Sequence, residues 1–550
     1  MSYLQKINVM AKMRDGVKLS LDIRLPEKWG PFPAVLVRNP YNNNVSGTPE
    51  NERLLKLYLD AGYAYVTQDV RGKYDSEGEF SAYDEEEDGY DTVEWLATQS
   101  WCNGKVGMSG ASYCGLTQLA AAKLGPKHLL AITPSVMGGD MFKCGSLKSG
   151  VPQLGSIAWQ ICNTGRTDKP LPLLNWNEFY KTLPLSNLDA AAGFDSPIFK
   201  EMLKHPVYDS YWKRRSLDGY YNNINAPVFL LGGWYDKYSA ALIEVFCKLV
   251  KAGKKAKLLV GPWTHGLSAG RVGGQMDYGG ASVIDIEVSK KKWLDRYLKD
   301  QKNGMDTEKP VRIFVMGINE WREEESWPLK KTKNISYYPG CKKAANSLYG
   351  DGFLSNEPAP GRGEDSYVYD PLDPVTSIGG SSLIPACPAG AFDQSSMERR
   401  NDMLIYTTEE LRKPLEVTGF VKMELFISTD VLDTDFIARL CDVSPDGKSI
   451  NLCDGIARAR FREGFEREVM LEKDKVYKIE IEMDVTANVF LPGHKIRLEL
   501  TSSCFPRFAR NLNTGGEIYR EIKPKIARTV IHHSKSYPSR LILPTIIAKK

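Results

Sequence analysis

Two serines sit in a short glycine-rich run, Gly107-Met-Ser-Gly-Ala-Ser-Tyr-Cys-Gly115, and this run is where the chain is best equipped for nucleophilic chemistry. The run follows Lys105 to Gly110, which reads as a strand, and precedes Leu116 to Lys123, which reads as a helix. A tight strand-to-helix turn lifts a serine Oγ above a sheet, where it can attack a carbonyl carbon. Small neighbours are needed because the turn brings backbones close together. Neither serine has the strict G-x-S-x-G surround. Ser109 has Gly107 two before it and Ala111 two after, whereas Ser112 has Gly110 two before it and Gly115 three after. Ser109 falls inside the strand and Ser112 at the turn, so Ser112 is the favoured nucleophile. A glycine- and serine-rich turn without chemistry is the competing reading of the motif by itself.

A serine nucleophile needs a base to take its proton, most often histidine. Behind an elbow of this kind the chain order is serine, acid, histidine. Six histidines are available: His128, His205, His265, His494, His532 and His533. His128 precedes any acid at a late strand end. His205 falls in a segment read below as an insert, and the last three fall in a β-rich C-terminal part. His265 alone directly follows a buried strand, in Val260-Gly-Pro-Trp-Thr-His-Gly266. Functional groups of open α/β sheets occupy the loops at the carboxyl ends of strands.

The acid must lie between Ser112 and His265. Asp236 closes Leu231-Gly-Gly-Trp-Tyr-Asp236, at the end of the preceding buried strand. Asp140, Glu201, Asp209 and Asp218 lie in the insert or at its edges. Asp236 would hold the His265 tautomer and stabilise the imidazolium. An ordinary loop histidine and a surface-loop aspartate are the plainer alternatives. An oxyanion needs two donors. One is the backbone N–H after the nucleophile, that of Tyr113. The other belongs to the loop Arg38-Asn-Pro-Tyr41, as a backbone amide or as the Tyr41 hydroxyl. This chemistry uses no cofactor and no metal.

These residues need an α/β scaffold, and the pattern supplies one. Val17, Leu19, Leu21, Ile23 and Leu25 alternate with polar residues, which predicts a half-buried strand. Ala34 to Val37 predicts a buried strand, Leu54 to Leu59 a helix, Tyr63 to Val70 a strand and Tyr90 to Ala97 a helix. The alternation resumes with Pro227–Leu231, Leu242–Leu249, Lys257–Val260 and Trp293–Leu298. Strands alternating with helices imply a mostly parallel sheet covered on both faces. The intervening stretch is aromatic-rich and reads as a helical cap. Beyond about residue 335, alternating runs such as Val417–Ile427, Tyr477–Val485 and Ile496–Leu500 argue for an antiparallel β-sandwich. The expected organisation is 1–137 and 223–334 as one α/β unit, 138–222 as an inserted helical cap, and 335–550 as an all-β domain. A length of 550 residues fits three or four domains.

Composition narrows the function classes. Apolar residues make up 42% and charged residues 25%, as in ordinary globular proteins. The net charge of +4, from 72 basic and 68 acidic residues, gives no reason to expect a nucleic acid partner. No run approaches the roughly 18 apolar residues of a membrane helix, so no membrane partner is expected. The first residues lack the apolar core of a secretory signal. The ten cysteines are scattered without a C-x-x-C pair, which suits free thiols in a reducing cytoplasm. A homodimer is neither specified nor excluded.

The motifs together resemble the CocE/NonD hydrolases, the group of bacterial cocaine esterase, α-amino acid ester hydrolases and Xaa-Pro dipeptidyl-peptidases. The resemblance rests on Arg38-Asn-Pro-Tyr41, Gly110-x-Ser-Tyr-x-Gly115, Gly233-Trp-Tyr-Asp236 and Gly261-Pro-Trp-x-His265. Asp69-Val-Arg-Gly72, Val315-Met-Gly317, Tyr369-Asp-Pro371, Gly390-Ala-Phe-Asp-Gln394 and Phe505-Pro-Arg-Phe508 extend it over nearly the whole chain. The resemblance implies an α/β-hydrolase domain with a helical cap and a C-terminal jelly-roll. It implies Ser112, Asp236 and His265 as a triad, with the Tyr41 hydroxyl joining the Tyr113 amide in the oxyanion hole. The activity it implies is cleavage of a small-molecule acyl ester through an acyl-enzyme. Amidase or peptidase action on the same triad is the nearest alternative, and a non-catalytic binding module the most distant.

Overall fold

A computed structural model of the chain describes residues 3–28, 30–44, 48–169, 175–266, 270–358 and 363–546. Ten strands form one sheet. Its leading edge is antiparallel, with β1 (Leu4–Lys12) on β2 (Lys18–Leu25). β3 (Phe32–Asn39), β4 (Ala64–Asp69), β5 (Cys102–Ala111) and β6 (Leu129–Ser135) follow in the spatial order β4-β3-β5-β6. Next come the strands Val228–Tyr235, Ala256–Thr264 and Val311–Val315. From β4 to Val311–Val315 every neighbour is parallel.

Helices cover both faces, which is why the central strands read as continuous apolar runs. On one face α1 (Pro49–Leu59) and the helix Ile286–Leu298 bring Leu55, Tyr58, Trp293 and Leu294 against Val35, Tyr65, Phe229 and Leu259. On the other, α2 (Glu86–Ala97), α3 (Tyr113–Lys123) and the helix Ser239–Lys251 bring Val93, Leu119, Leu242 and Phe246 into the core with Leu36, Val66, Met108 and Leu230. α1 starts earlier than its apolar periodicity, because the Thr48 hydroxyl accepts the Asn51 N–H at 3.2 Å and Pro49 fits the first turn.

Two expectations are corrected. β2 is not half-buried: Ser20, Asp22 and Arg24 on its polar face are buried too, at 0%, 5% and 0% exposure. Arg24 donates to Asp22 Oδ2 and to Thr67 Oγ1, both at 3.1 Å, so that face is an internal hydrogen-bonded layer. β6 was not anticipated. Its run is short and contains Pro134, a residue that rarely occupies a central strand.

Between 138 and 222 the described residues form short helices, among them Leu154–Cys162, Trp176–Lys181, Pro197–Leu203 and Ser210–Arg214, with a small hairpin at Leu147–Lys148 and Val151–Pro152. A second sheet of eleven strands runs from Thr332–Gly340 to Arg540–Ile546. Its pairings are antiparallel apart from Phe353 with Thr407. The Met316 N–H donates to Ala487 O and the Val489 N–H to Met316 O, each at 2.9 Å, tying this sheet to the first. No described helix is long and apolar enough to cross a membrane.

The turn from β5 to α3 is a tight point of the parallel sheet. Gly110 has φ 135°, and a Cβ there would lie 2.4 Å from Cys114 Cβ. Gly104, at the start of the same strand, also has positive φ, but its Cβ would find nothing nearer than His128 Cδ2 at 3.9 Å. Gly110→Ala should therefore cost roughly 3 kcal/mol or more, from strain plus overpacking, and Gly104→Ala about 1 kcal/mol from strain. Thermal denaturation of the two variants checks this, and equal losses of Tm would refute crowding at the turn.

Candidate active site

Ser112 stands alone between β5 and α3, with φ 58° and ψ −124°. That conformation costs a side-chain-bearing residue about 1–3 kcal/mol, so the surroundings must impose it. They do so from both sides. The Ser112 N–H donates to Ser135 O on β6 at 2.9 Å, and the Ser112 carbonyl accepts the Leu116 N–H at 3.0 Å as α3 begins. Ser109, the competing serine, is buried inside β5, with its Oγ 3.1 Å from Thr133 Oγ1.

Asp236 and His265 arrive on adjacent parallel strands. Val228–Tyr235 and Ala256–Thr264 pair in register as far as Gly233 opposite Gly261, and after a one-residue shift they end together, with Tyr235 opposite Thr264. The close approach explains one motif glycine: a Cβ on Gly233 would lie 2.1 Å from Trp263 O. Beyond these strand ends the side chains meet. His265 Nδ1 lies 2.7 Å from Asp236 Oδ1, and His265 Nε2 lies 2.9 Å from Ser112 Oγ. A neutral imidazole that donates Nδ1–H to the carboxylate leaves Nε2 to accept the serine proton. Asp236 is buried, while the His265 side chain keeps 19% exposure. The other five histidines are engaged elsewhere, for example His128 with Glu94 and His494 with Asp442.

Tyr113 is the first residue of α3, so its N–H has no partner within the helix and lies at the positive end of the helix dipole. Its ring is fixed from below. The Tyr113 hydroxyl donates to Glu85 Oε1 at 2.7 Å and accepts the Tyr83 N–H at 3.1 Å. Glu85 is paired with Arg38 at 3.0 Å, and Arg38 also donates to Gln68 Oε1 at 2.6 Å. Burial pushes the Glu85 carboxyl up to about 7 despite the pull of Arg38. Arg38 of the first motif is thus a buried strut rather than a substrate contact.

The Tyr41 hydroxyl accepts a hydrogen bond from Trp159 Nε1 at 3.1 Å, which leaves its own hydrogen to donate. Tyr41 as a residue is 39% exposed, but its hydroxyl end is enclosed by protein. Burial raises this phenol further above its ordinary range, so it stays a neutral donor.

Ser112, His265 and Tyr41 open into one cavity of about 410 Å³. Its walls come from three parts of the chain: Tyr83 and Met137, then Ser156, Trp159 and Cys162, then Leu383 and Pro385. Tyr113 stacks on Trp159 at 5.4 Å and on Tyr83 at 6.2 Å between ring centres. Trp159, which the sequence leaves undecided between cavity and core, is on the cavity. Glu85, Ser156 and Lys237 had no sequence signal, since nothing marks one acid of Glu85-Glu-Glu-Asp88, or one serine or lysine, as buried. Two groups with metal-ligand residue types, Cys341-Asp365-His533 and Glu398-Cys441-Glu499, are buried outside this cavity. Asp365 already accepts hydrogen bonds from Tyr406 and the Ala345 N–H.

Comparison with known proteins gives the family. Residues 15–267 match the model of the X-Pro dipeptidyl-peptidases of the S15 family, and residues 303–542 that of the X-Pro dipeptidyl-peptidase C-terminal non-catalytic domain. Cocaine esterase of Rhodococcus sp. (strain MB1 Bresler) is 38% identical over 576 aligned residues, spanning 99% of each chain. Among solved structures, an aminopeptidase from a marine sediment Thaumarchaeota archaeon superposes with a TM-score of 0.87 at 27% identity, over 99% of this chain and 96% of that one. An α-amino acid ester hydrolase gives 0.86 at 25% identity with the same coverage. The chain therefore belongs to the S15 family of serine hydrolases, the CocE/NonD group that its motifs resemble.

Proposed function

We propose that the protein hydrolyses acyl esters through an acyl-enzyme formed on Ser112. The observation that carries this reading is the unbroken hydrogen-bonded line from Asp236 through His265 to Ser112, opening into a largely apolar cavity. Ser112 Oγ attacks the acyl carbon and its proton passes to His265 Nε2. The Tyr113 N–H and the Tyr41 hydroxyl hold the oxyanion. Collapse expels the alcohol, which takes the proton from His265. Water then gives a proton to His265 and attacks the acyl carbon, and the carboxylic acid leaves as Ser112 recovers its proton. Asp236 keeps the imidazole oriented throughout.

The same reading covers the architecture: an α/β-hydrolase domain in two segments, 1–137 and 223–334, a cap over 138–222, and a jelly-roll over 335–550. The eleven-stranded sheet supports the last part, because its strands divide into two mostly antiparallel groups joined through Thr332–Gly340. A cytoplasmic location is supported by ten cysteines scattered along the chain without a C-x-x-C pair.

A second reading, action on amides, is favoured by the S15 models and by the aminopeptidase structure. The triad serves both chemistries, so the leaving group decides. Matched substrates, p-nitrophenyl butyrate against butyryl p-nitroanilide and an Xaa-Pro p-nitroanilide, separate them. The ester reading expects the ester to lead in kcat/KM by at least a hundredfold, and a faster anilide would reverse the assignment.

Two variant series test the mechanism. Ser112→Ala should lose ester turnover by a factor on the order of 10⁴–10⁶, whereas Ser109→Ala should fold and keep its activity. Full activity in Ser112→Ala would sink the proposal. Tyr41→Phe removes one oxyanion donor and should lower kcat by about 10²–10³ with little change in KM. A loss confined to KM would assign Tyr41 to substrate binding instead.

A further inference from the structure

Lys237 directly follows the proposed acid Asp236, yet its side chain turns inward and the residue is 6% exposed. Its Nζ donates to Gly145 O at 2.8 Å and to Ser156 Oγ, and stands 4.7 Å from the centre of the Tyr238 ring. All three ammonium directions are thereby used, and none meets a carboxylate. The neighbouring acids have other partners: Asp236 holds His265, Asp484 holds Lys148 at 2.5 Å, and Glu482 lies 3.9 Å from Lys422. Glu244 borders the same side of Lys237 but forms no ion pair with it among the described residues. Lys148 and Arg507 add like charge, and Cys144 contributes a thiol. A buried cation without a counter-ion is costly. Burial accordingly pushes the Lys237 ammonium down to about 7.

The missing anion has an obvious approach. Ser156 lies on the first turn of the helix Leu154–Cys162, is 7% exposed, and lines the cavity that holds Ser112 and His265. Its Oγ accepts from Lys237, and among the described residues its own hydrogen has no acceptor. A hydroxyl that accepts from an ammonium is polarised and becomes a stronger donor. The cavity wall therefore presents a hydrogen-bond donor backed by a buried positive charge. The cavity's own carboxylate, Asp168, is tied to Lys73 at 3.1 Å, and Lys169 beside it is a cation.

We propose that Ser156, backed by Lys237, is a subsite for a substrate carboxylate, so that the preferred substrates are esters bearing a free carboxylate. This rests on the ester-hydrolase reading above. Ser156 touches the carboxylate, and Lys237 is a positioning residue that acts through it. The carboxylate can belong to the acyl group or to the leaving alcohol, and two pairs of esters distinguish these. Mono-p-nitrophenyl adipate against p-nitrophenyl hexanoate places it on the acyl side, and 3-carboxyphenyl butyrate against phenyl butyrate on the leaving side.

In one arm the wild type should favour the carboxylate ester in kcat/KM. That preference should fall at least tenfold in Ser156→Ala and in Lys237→Met, whatever either variant does to turnover of the neutral ester. If Lys237→Met fails to fold, Ser156→Ala carries the test. Binding is measured separately by calorimetry on the Ser112→Ala protein. There the affinity for the favoured carboxylate ester should drop at least tenfold when Ser156→Ala is added. Tight, Ser156-dependent binding without any turnover by the wild type would support the subsite and fail the ester-hydrolase reading. A carboxylate preference unchanged within twofold in both arms, or an affinity indifferent to Ser156→Ala, overturns the subsite.

Discussion

Val228–Tyr235 and Ala256–Thr264 are neighbouring parallel strands that, after a one-residue shift past Gly261, end level with one another beyond β6 and the β5–α3 turn. Because the ends are level, the loops that leave them emerge side by side. Asp236 and His265 are 29 residues apart in the chain but meet at 2.7 Å. His265 then lies 2.9 Å from a serine 153 residues away, because the turn that carries Ser112 leaves the same edge of the same sheet. The glycine at 233 serves this constraint, since any Cβ there would collide with the carbonyl of Trp263. A small displacement of either strand would break the line of hydrogen bonds.

The polar groups beneath this edge are as constrained as the apolar ones. Arg38, Glu85, Gln68 and the Tyr113 hydroxyl form a buried network under the first turn of α3. Each member is costly to bury by itself and acceptable only with its partners. The network holds the peptide whose N–H is the proposed oxyanion donor. Lys237 breaks the pattern. It is buried, uses neutral acceptors only, and lies one hydroxyl away from the cavity. A buried charge that faces only neutral acceptors, one hydroxyl from the cavity, is where a ligand can complete the structure.

The cavity belongs to no single segment. The first sheet supplies the floor, the inserted helices the aromatic wall, and the C-terminal part Leu383 and Pro385. Trp159 links two of these roles, because it stacks on Tyr113 and donates to the Tyr41 hydroxyl. The insert therefore shapes the substrate space and also sets which way the Tyr41 hydrogen can point.

The chain by itself determined the scaffold and set the candidate reacting groups at strand ends. Strand and helix periods, together with glycines at tight turns, are local properties, and they singled out Ser112, Asp236 and His265 as candidates that the family resemblance joined into a triad. The order serine, acid, histidine carried over because each of these groups lies just beyond a strand end. What local pattern could not reveal was which polar residues are buried. The polar row of β2, the strand containing Pro134, and Glu85 among its acidic neighbours all look solvent-facing or irregular until partners from elsewhere satisfy them. The same holds for Ser156 and Lys237. They lie 81 residues apart, and only the packing of the insert against the Asp236 loop joins them. Hydrogen-bond satisfaction and charge compensation depend on what the fold brings near, so the buried polar partners were decided in the tertiary structure, while the strand-end positions of the candidate groups were already written in the chain.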